Sequence, residues 1–262
     1  MKLSVSNIAW GPESDAAMYP VLAEKGYQGL EAAPTRLFPQ RPYDHLEQAA
    51  AFRARLQADY GLCIPSIQSI WYGRTEELFS GAEARAALLD YTKAAIRFAA
   101  ALGCGNLVFG SPKNRARNGR GSPDDVLPFF RAVGDCAAQR GTAVSMEANP
   151  PIYHTDFINT TAQAFQLAEA VASPGFLVNL DVGTMVSNGE DVDSLAGRTP
   201  LIRHVHISEP QLAPIRQRSL HQELACLLRE DGYPGFVSIE MANCGELGPV
   251  LEAMDYVKEL FA

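Results

Sequence analysis

Short apolar runs with β-strand character alternate with longer segments of helical periodicity from one end of the chain to the other. The strand candidates cover residues 3–9, 29–32, 64–69, 106–110, 143–147, 176–181, 204–208 and 236–240. Between them Leu88, Tyr91, Ala95, Ile96, Ala99 and Leu102 keep helical spacing, as do Phe165, Leu167, Ala168 and Val171, and Leu220, Leu224, Leu227 and Leu228. Gly26, Gly61, Gly103, Gly141 and Gly232 each follow a helical pattern and precede a strand, the position of a helix C-cap. The sixth helix is the least marked, a short segment within residues 191–197. Eight such units in 262 residues predict an α/β protein, a closed (β/α)8 TIM barrel. No linker, low-complexity tract or charge block divides the chain, so residues 1–262 read as a single domain.

The last four strands carry the chemistry. Side chains alternate between the two faces of a strand, so Val144, Met146, Val178, Leu180, Val205, Ile207, Val237 and Ile239 share one face. All eight are apolar, as covering helices require. The opposite face ends in Glu147, Asp181, His206 and Glu240, with Ser145, Asn179, His204 and Ser238 one step below. The four end residues are 34, 25 and 34 positions apart, close to one β/α repeat each time. Active sites of such barrels form at the C-terminal strand ends. Three carboxylates and an imidazole converging there are costly without a cation, and the set reads as a metal site.

Composition narrows the picture. Hydrophobic content of 47% and charged content of 20% suit an ordinary globular protein. The net charge of −8 disfavours a nucleic-acid or anionic-membrane partner. Cys63, Cys104, Cys136, Cys226 and Cys244 are scattered and odd in number, the usage of reduced thiols in a cytosol, and the first residues form a strand pattern rather than a leader. A cytoplasmic location is the expectation.

Gly26-Tyr-Gln-Gly-Leu-Glu31, Ser145-Met-Glu147-Ala-Asn149, Asn179-Leu-Asp181, Arg203-His-Val-His206 and Gly232-Tyr-Pro-Gly-Phe-Val-Ser-Ile-Glu240 together resemble the xylose isomerase-like TIM-barrel superfamily of sugar (phosphate) isomerases and epimerases. The resemblance implies one divalent ion, Mn2+, Mg2+ or Co2+, held by Glu147, Asp181, His206 and Glu240, and an oxygen-rich set with one nitrogen suits those metals. In the ketose 3-epimerase branch it implies Glu147 and Glu240 as an acid/base pair on opposite faces of a ketose, working through an enediolate. The partner implied is a small sugar or sugar phosphate, and the resemblance also suggests a homo-oligomer. Three positions depart from the family pattern: Thr184 stands where a histidine is frequent, Leu212 where the 3-epimerases have an arginine, and Tyr153 where an acid is expected. All three are substrate-facing positions in the family, so the expectation is conserved chemistry on a changed substrate.

Other residues at the expected mouth are candidates for substrate contact. The loop after strand four holds Lys113, Arg115, Arg117 and Arg120, and Lys113 and Arg115 lie nearest the strand end, where a phosphate or carboxylate would meet them; the alternative is a solvated loop. Gln68 and Trp71 follow strand three and Trp10 follows strand one; a rim aromatic stacks on sugar faces or packs under a loop. Asn149 and Glu209 lie just beyond metal ligands, and His154 and His221 lie on segments after strands five and seven. Glu31 ends strand two, where it binds a substrate hydroxyl or pairs with Arg36, and His204 reads as a core or supporting histidine. Among other activities, an inosose-dehydratase-like lyase starts with the same proton loss, and a non-catalytic sugar-binding barrel stays open. A DNA-repair nuclease of the same superfamily needs a histidine-rich metal cluster that five histidines hardly supply.

Overall fold

Eight parallel strands form one sheet in the order β2-β1-β8-β7-β6-β5-β4-β3 in the computed structural model, which describes residues 1–262. They are β1 (Lys2–Ser6), β2 (Gly29–Glu31), β3 (Ser66–Ile67), β4 (Asn106–Phe109), β5 (Ala143–Glu147), β6 (Phe176–Asp181), β7 (Ile202–Ile207) and β8 (Phe236–Ile239). Single bridges Gly29 to Cys63 and Ala32 to Ile67 join β2 to β3 and close the barrel. The helices are α1 (Asp15–Glu24), α2 (Pro34–Leu37), α3 (Leu46–Tyr60), α4 (Ala82–Ala101), α5 (Leu127–Ala138), α6 (Thr161–Val171), α7 (Val182–Asn188), α8 (Ser219–Glu230) and α9 (Gly248–Phe261). None is long and apolar enough to cross a membrane.

The elements form where the pattern places them, for local reasons. The five glycines before strands all take positive φ, from 64° to 82°, the left-handed geometry that ends a helix cheaply. The outward strand residues are fully buried beneath the helices, among them Val144, Leu180, Val205 and Ile239. Strand three shrinks to two paired residues, next to Pro65, which has no N–H to give a ladder. Strand one ends at Ser6, and Asn7–Ala9 turns off as a 3-10 helix whose Asn7 Oδ1 accepts the Ala33 N–H at 2.9 Å.

One expectation is corrected. The helix between β6 and β7 is not within 191–197 but α7, which starts directly after Asp181. Asp181 is its N-cap: the carboxylate accepts the Thr184 N–H at 2.8 Å. Capping by an acid outweighs the poor helix propensities of Val182, Gly183 and Thr184. Residues 192–195 form only a 3-10 turn.

The barrel interior is polar rather than filled with branched aliphatics. Ser145 Oγ bonds Asn106 Oδ1 at 2.5 Å, Asn106 Nδ2 bonds Ser66 Oγ at 3.0 Å, and Gln68 Nε2 bonds Ser6 Oγ at 2.7 Å. Buried polar atoms paired in this way can sit in a core without large cost, and they form the floor of the site.

Candidate metal centre

Glu147, Asp181, His206 and Glu240 end β5 to β8 or directly follow them, and each offers a ligand atom within 4.8 Å of the other three. The pairing of neighbouring strands sets this: Glu147 lies beside Asn179, and Asp181 beside His206, in adjacent ladders. His206 Nδ1 lies 3.1 Å from Glu147 Oε1 and 3.2 Å from Glu240 Oε2. His206 is fully buried, whereas the three acids keep 8–9% of their surface, a narrow opening at the barrel mouth.

Each acid is held in place. Asn179 Nδ2 donates to Glu147 Oε1 at 2.8 Å, and Asn149 Nδ2 donates to Glu147 Oε2 at 3.1 Å. Asp181 accepts from Thr184 N–H and from the Ser208 hydroxyl, which itself accepts the Gly183 N–H at 2.8 Å. Gly110 completes the wall, because a Cβ there would stand 2.8 Å from Glu147 Oε2. Gly110→Ala is therefore expected to push this carboxylate aside and weaken Mn2+ binding about 10-fold or more, as calorimetry would show. Unchanged affinity would show that Glu147 need not stand there.

The electrostatics show a shortage of positive charge. Burial pushes Glu240 up to about 7, with His206 opposing and the Glu147 and Asp181 carboxylates adding to the rise. Burial also raises Asp181, reinforced by Glu147 and opposed by His206. Burial alone would lower His206, but Glu240 and Glu31, with hydrogen bonds to Glu147 and Glu240, lift it well above the usual histidine range. A proton on His206 thus occupies the place where a cation would sit. Oxygen donors with one nitrogen, converging and short of positive charge, fit a divalent ion.

The other expected residues are distributed as follows. Gln68 is buried and bonded to Ser6 and to the Ser69 hydroxyl. Asn149 stands at the centre, between Glu147 and Arg115. Arg115 does not face solvent: it is fully buried, with Nη2 on Asn149 Oδ1 at 2.6 Å and Nη1 on Met146 Sδ at 3.0 Å. Burial pushes it down to about 10, Glu147 opposing. Its contact is with Asn149, the residue that holds Glu147. Lys113 is exposed and lines a 590 Å³ cavity with Tyr72, Arg74 and Ser111, the last being next to Gly110.

Three further candidates at the mouth lie in the interior. Trp71 is buried under the loops, with its indole N–H on Thr92 Oγ1 at 2.8 Å and its ring against Phe109 at 4.5 Å. Trp10 is likewise buried, with its N–H on Asp15. Glu209 is buried and committed to Arg218 through two hydrogen bonds of 2.7 and 2.5 Å. His154 is exposed on the turn after β5, and His221 packs on Tyr256, with Nδ1 3.0 Å from its hydroxyl.

Two residues gain roles that the sequence did not convey. Glu31 does not pair with Arg36, which holds Asp15 at 2.9 Å; it is fully buried, 3.0 Å from His206 Nε2. Tyr153 is half-buried, and its hydroxyl accepts the Gln211 N–H at 2.7 Å, tying the loop after β5 to the loop after β7. Burial raises its hydroxyl, the bond with the Gln211 N–H opposing and the Asp181, Glu240 and Glu147 charges adding. Its position in the motif, six residues past Glu147, was the available signal.

A closed barrel whose last four strands end in a buried acid–histidine cluster defines the class. The chain belongs to the xylose isomerase-like TIM-barrel family, whose model matches residues 20–260. Among solved structures it resembles a D-psicose 3-epimerase determined with D-fructose, at TM-score 0.80 and 16% identity over 100% of this chain and 99% of that one. It also resembles 3-keto-D-glucoside 4-epimerase from E. coli, at TM-score 0.76 and 20% identity over 99% and 98%. A third is the family 2 AP endonuclease from Brucella melitensis, at TM-score 0.73 and 20% identity over 96% and 99%. These likenesses are of fold. No curated protein sequence matches the chain.

Proposed function

We propose that the protein is a divalent-metal-dependent isomerase or epimerase of a small sugar or sugar derivative. The observation that carries this is the convergence of Glu147, Asp181, His206 and Glu240 at the mouth of the barrel. Likeness to two sugar epimerases over nearly the whole chain supports it. A bound divalent ion would supply positive charge beside the substrate's oxygens, making a neighbouring C–H more acidic and the enediolate less costly.

The chain's own groups then handle the proton. Glu147 and Glu240 come from β5 and from the end of β8, and both lie against His206 Nδ1. One takes the proton from one face of the substrate carbon, and the other returns a proton to the opposite face. Asn179 and Asn149 grip both oxygens of Glu147, and Arg115 anchors Asn149, so the acid cannot swing away from its task. Lys113, which has no ion-pair partner, lines the cavity next to Ser111 and supports a substrate with a phosphate or carboxylate at its far end.

The test is solvent deuterium uptake, followed by NMR, into ketoses, their phosphates and acidic sugars. Metal-loaded protein should exchange a C–H beside a carbonyl, and EDTA-stripped protein should not. Loss of water from the substrate during exchange would assign a dehydratase instead. Stoichiometric metal binding with no exchange across the panel would speak for a sugar-binding barrel.

Metal binding should also depend on pH. Glu240 takes up a proton as pH falls through about 7 in the metal-free protein, and His206, raised well above the usual histidine range by its acid neighbours, holds one as well, so the ion must displace both. Affinity should weaken from pH 8 to pH 6, with proton release visible by calorimetry in buffers of different ionisation enthalpy. A flat profile with no proton release would exclude these two residues as ligands.

A further inference from the structure

We infer that Glu31 is the positioning residue that decides which nitrogen of His206 faces the metal centre, an inference that rests on the metal-centre reading above. The His206 ring is caught between acids on opposite edges. Nδ1 faces Glu147 and Glu240 at 3.1 and 3.2 Å, and Nε2 faces Glu31 Oε1 at 3.0 Å. Glu31 comes from β2, is completely buried, and is itself fixed by Ser238 Oγ, which donates to Oε2 at 2.9 Å.

A neutral imidazole has one N–H and one lone pair. An ionised carboxylate only accepts; Glu147 and Glu240 would hold a proton on Nδ1 as Glu31 does on Nε2, so once a cation takes the place of the Nδ1 proton, Glu31 keeps the remaining one on Nε2 and leaves the Nδ1 lone pair for the cation. The opposite tautomer would set a lone pair against a carboxylate and aim an N–H into the metal position. Asn179 Nδ2, which donates to Glu147 Oε1 at 2.8 Å, stands 3.2 Å from His206 Nδ1, on the edge of the ring that faces the metal position. Flipping the amide would bring its oxygen against Glu147. His204 Nε2 lies farther from the same Glu31 oxygen, at 3.5 Å.

Glu31, His204 and His206 also satisfy the spacing of a second metal site. That arrangement would place metal on both ring nitrogens of His206 and leave Nε2 without a proton. The two readings differ in stoichiometry and in the Nε2 proton.

The experiment uses the full chain and two variants, Glu31→Gln and Ser238→Ala. Mn2+ affinity is measured by calorimetry, and the His206 Nε2–H signal by 15N NMR of the Zn2+-loaded protein. Wild type should bind one ion and show a hydrogen-bonded Nε2–H. Glu31→Gln should weaken Mn2+ binding about 10- to 100-fold and lose or shift that signal. Ser238→Ala should move both readouts the same way, with an affinity loss below about tenfold; it also serves as the test if Glu31→Gln fails to fold. Unchanged affinity and signal in the folded variants would overturn the inference and leave the metal centre standing. Two ions per wild-type chain, falling to one in Glu31→Gln, would overturn it in favour of a second metal. No binding by wild type, or binding indifferent to Glu147→Gln, would defeat the metal-centre reading itself.

Discussion

Glu147→Gln and Glu240→Gln should each lower inversion at the substrate carbon by about 10²- to 10⁴-fold, the usual worth of a positioned acid or base. Glutamine keeps the shape of each side chain, and an Oε1 at position 147 can still accept from Asn179, which now donates at 2.8 Å. What the substitution removes is the ability to take and return a proton. The two variants should not fail identically. With one carboxylate on each face of the substrate, each variant keeps the base that serves one epimer. Glu147→Gln should wash solvent deuterium into only one of the two epimers, and Glu240→Gln into only the other. Loss of the same exchange in both variants would mean that both acids act on one face, which contradicts a two-base mechanism. Both variants should also bind the metal more weakly, so the comparison is made at saturating metal.

Trp71→Ala should cost about 3–5 kcal/mol of folding stability, the range for emptying a large aromatic site in a core. Trp71 is 1% exposed, packs on Phe109 at 4.5 Å and Phe129 at 6.0 Å, and donates to Thr92 on α4. Thr92 keeps a bond of its own to the Leu88 carbonyl, so the loss is chiefly packing. Denaturant unfolding of the metal-free variant measures it. A side chain that served mainly to stack on a sugar would instead leave stability intact and raise KM.

Of the two places the sequence left open for Trp71, on the rim or under a loop, the structure takes the second for a physical reason. The sequence allowed a rim aromatic because the residue lies just past a strand end. Ser69, at φ 55°, turns the chain back, and the turn that follows drops the indole between loop and helix. The same holds after β4, where Ser111, at φ 46°, opens the 3-10 turn that sends Arg115 inward while Lys113 stays out. Left-handed backbone at a serine has no marker in a single sequence. By contrast, the strand ends at Glu147, Asp181, His206 and Glu240 were legible, since alternation fixes the face and the β/α repeat fixes the height. Those four do converge.

Glu31 was the deeper omission. Its partner His206 lies 175 residues away, and the two meet because β2 and β7 flank β1 and β8 in the curved sheet. Arg36, five positions on, was the nearer guess, and Asp15 holds it instead. Glu209 was lost in the same way to Arg218, an ion pair that no periodicity announces. Strand patterns thus gave the fold and the cluster's first layer; the layer that orients it depends on contacts between distant segments.

The central claim is that Glu147, Asp181, His206 and Glu240 hold one divalent ion, and elemental analysis of dialysed protein tests it most directly. After loading with Mn2+, wild type should retain one ion per chain, and Asp181→Asn, folded by circular dichroism, should retain far less. Wild-type protein that keeps none, or an Asp181→Asn variant that keeps as much as wild type, would contradict the account.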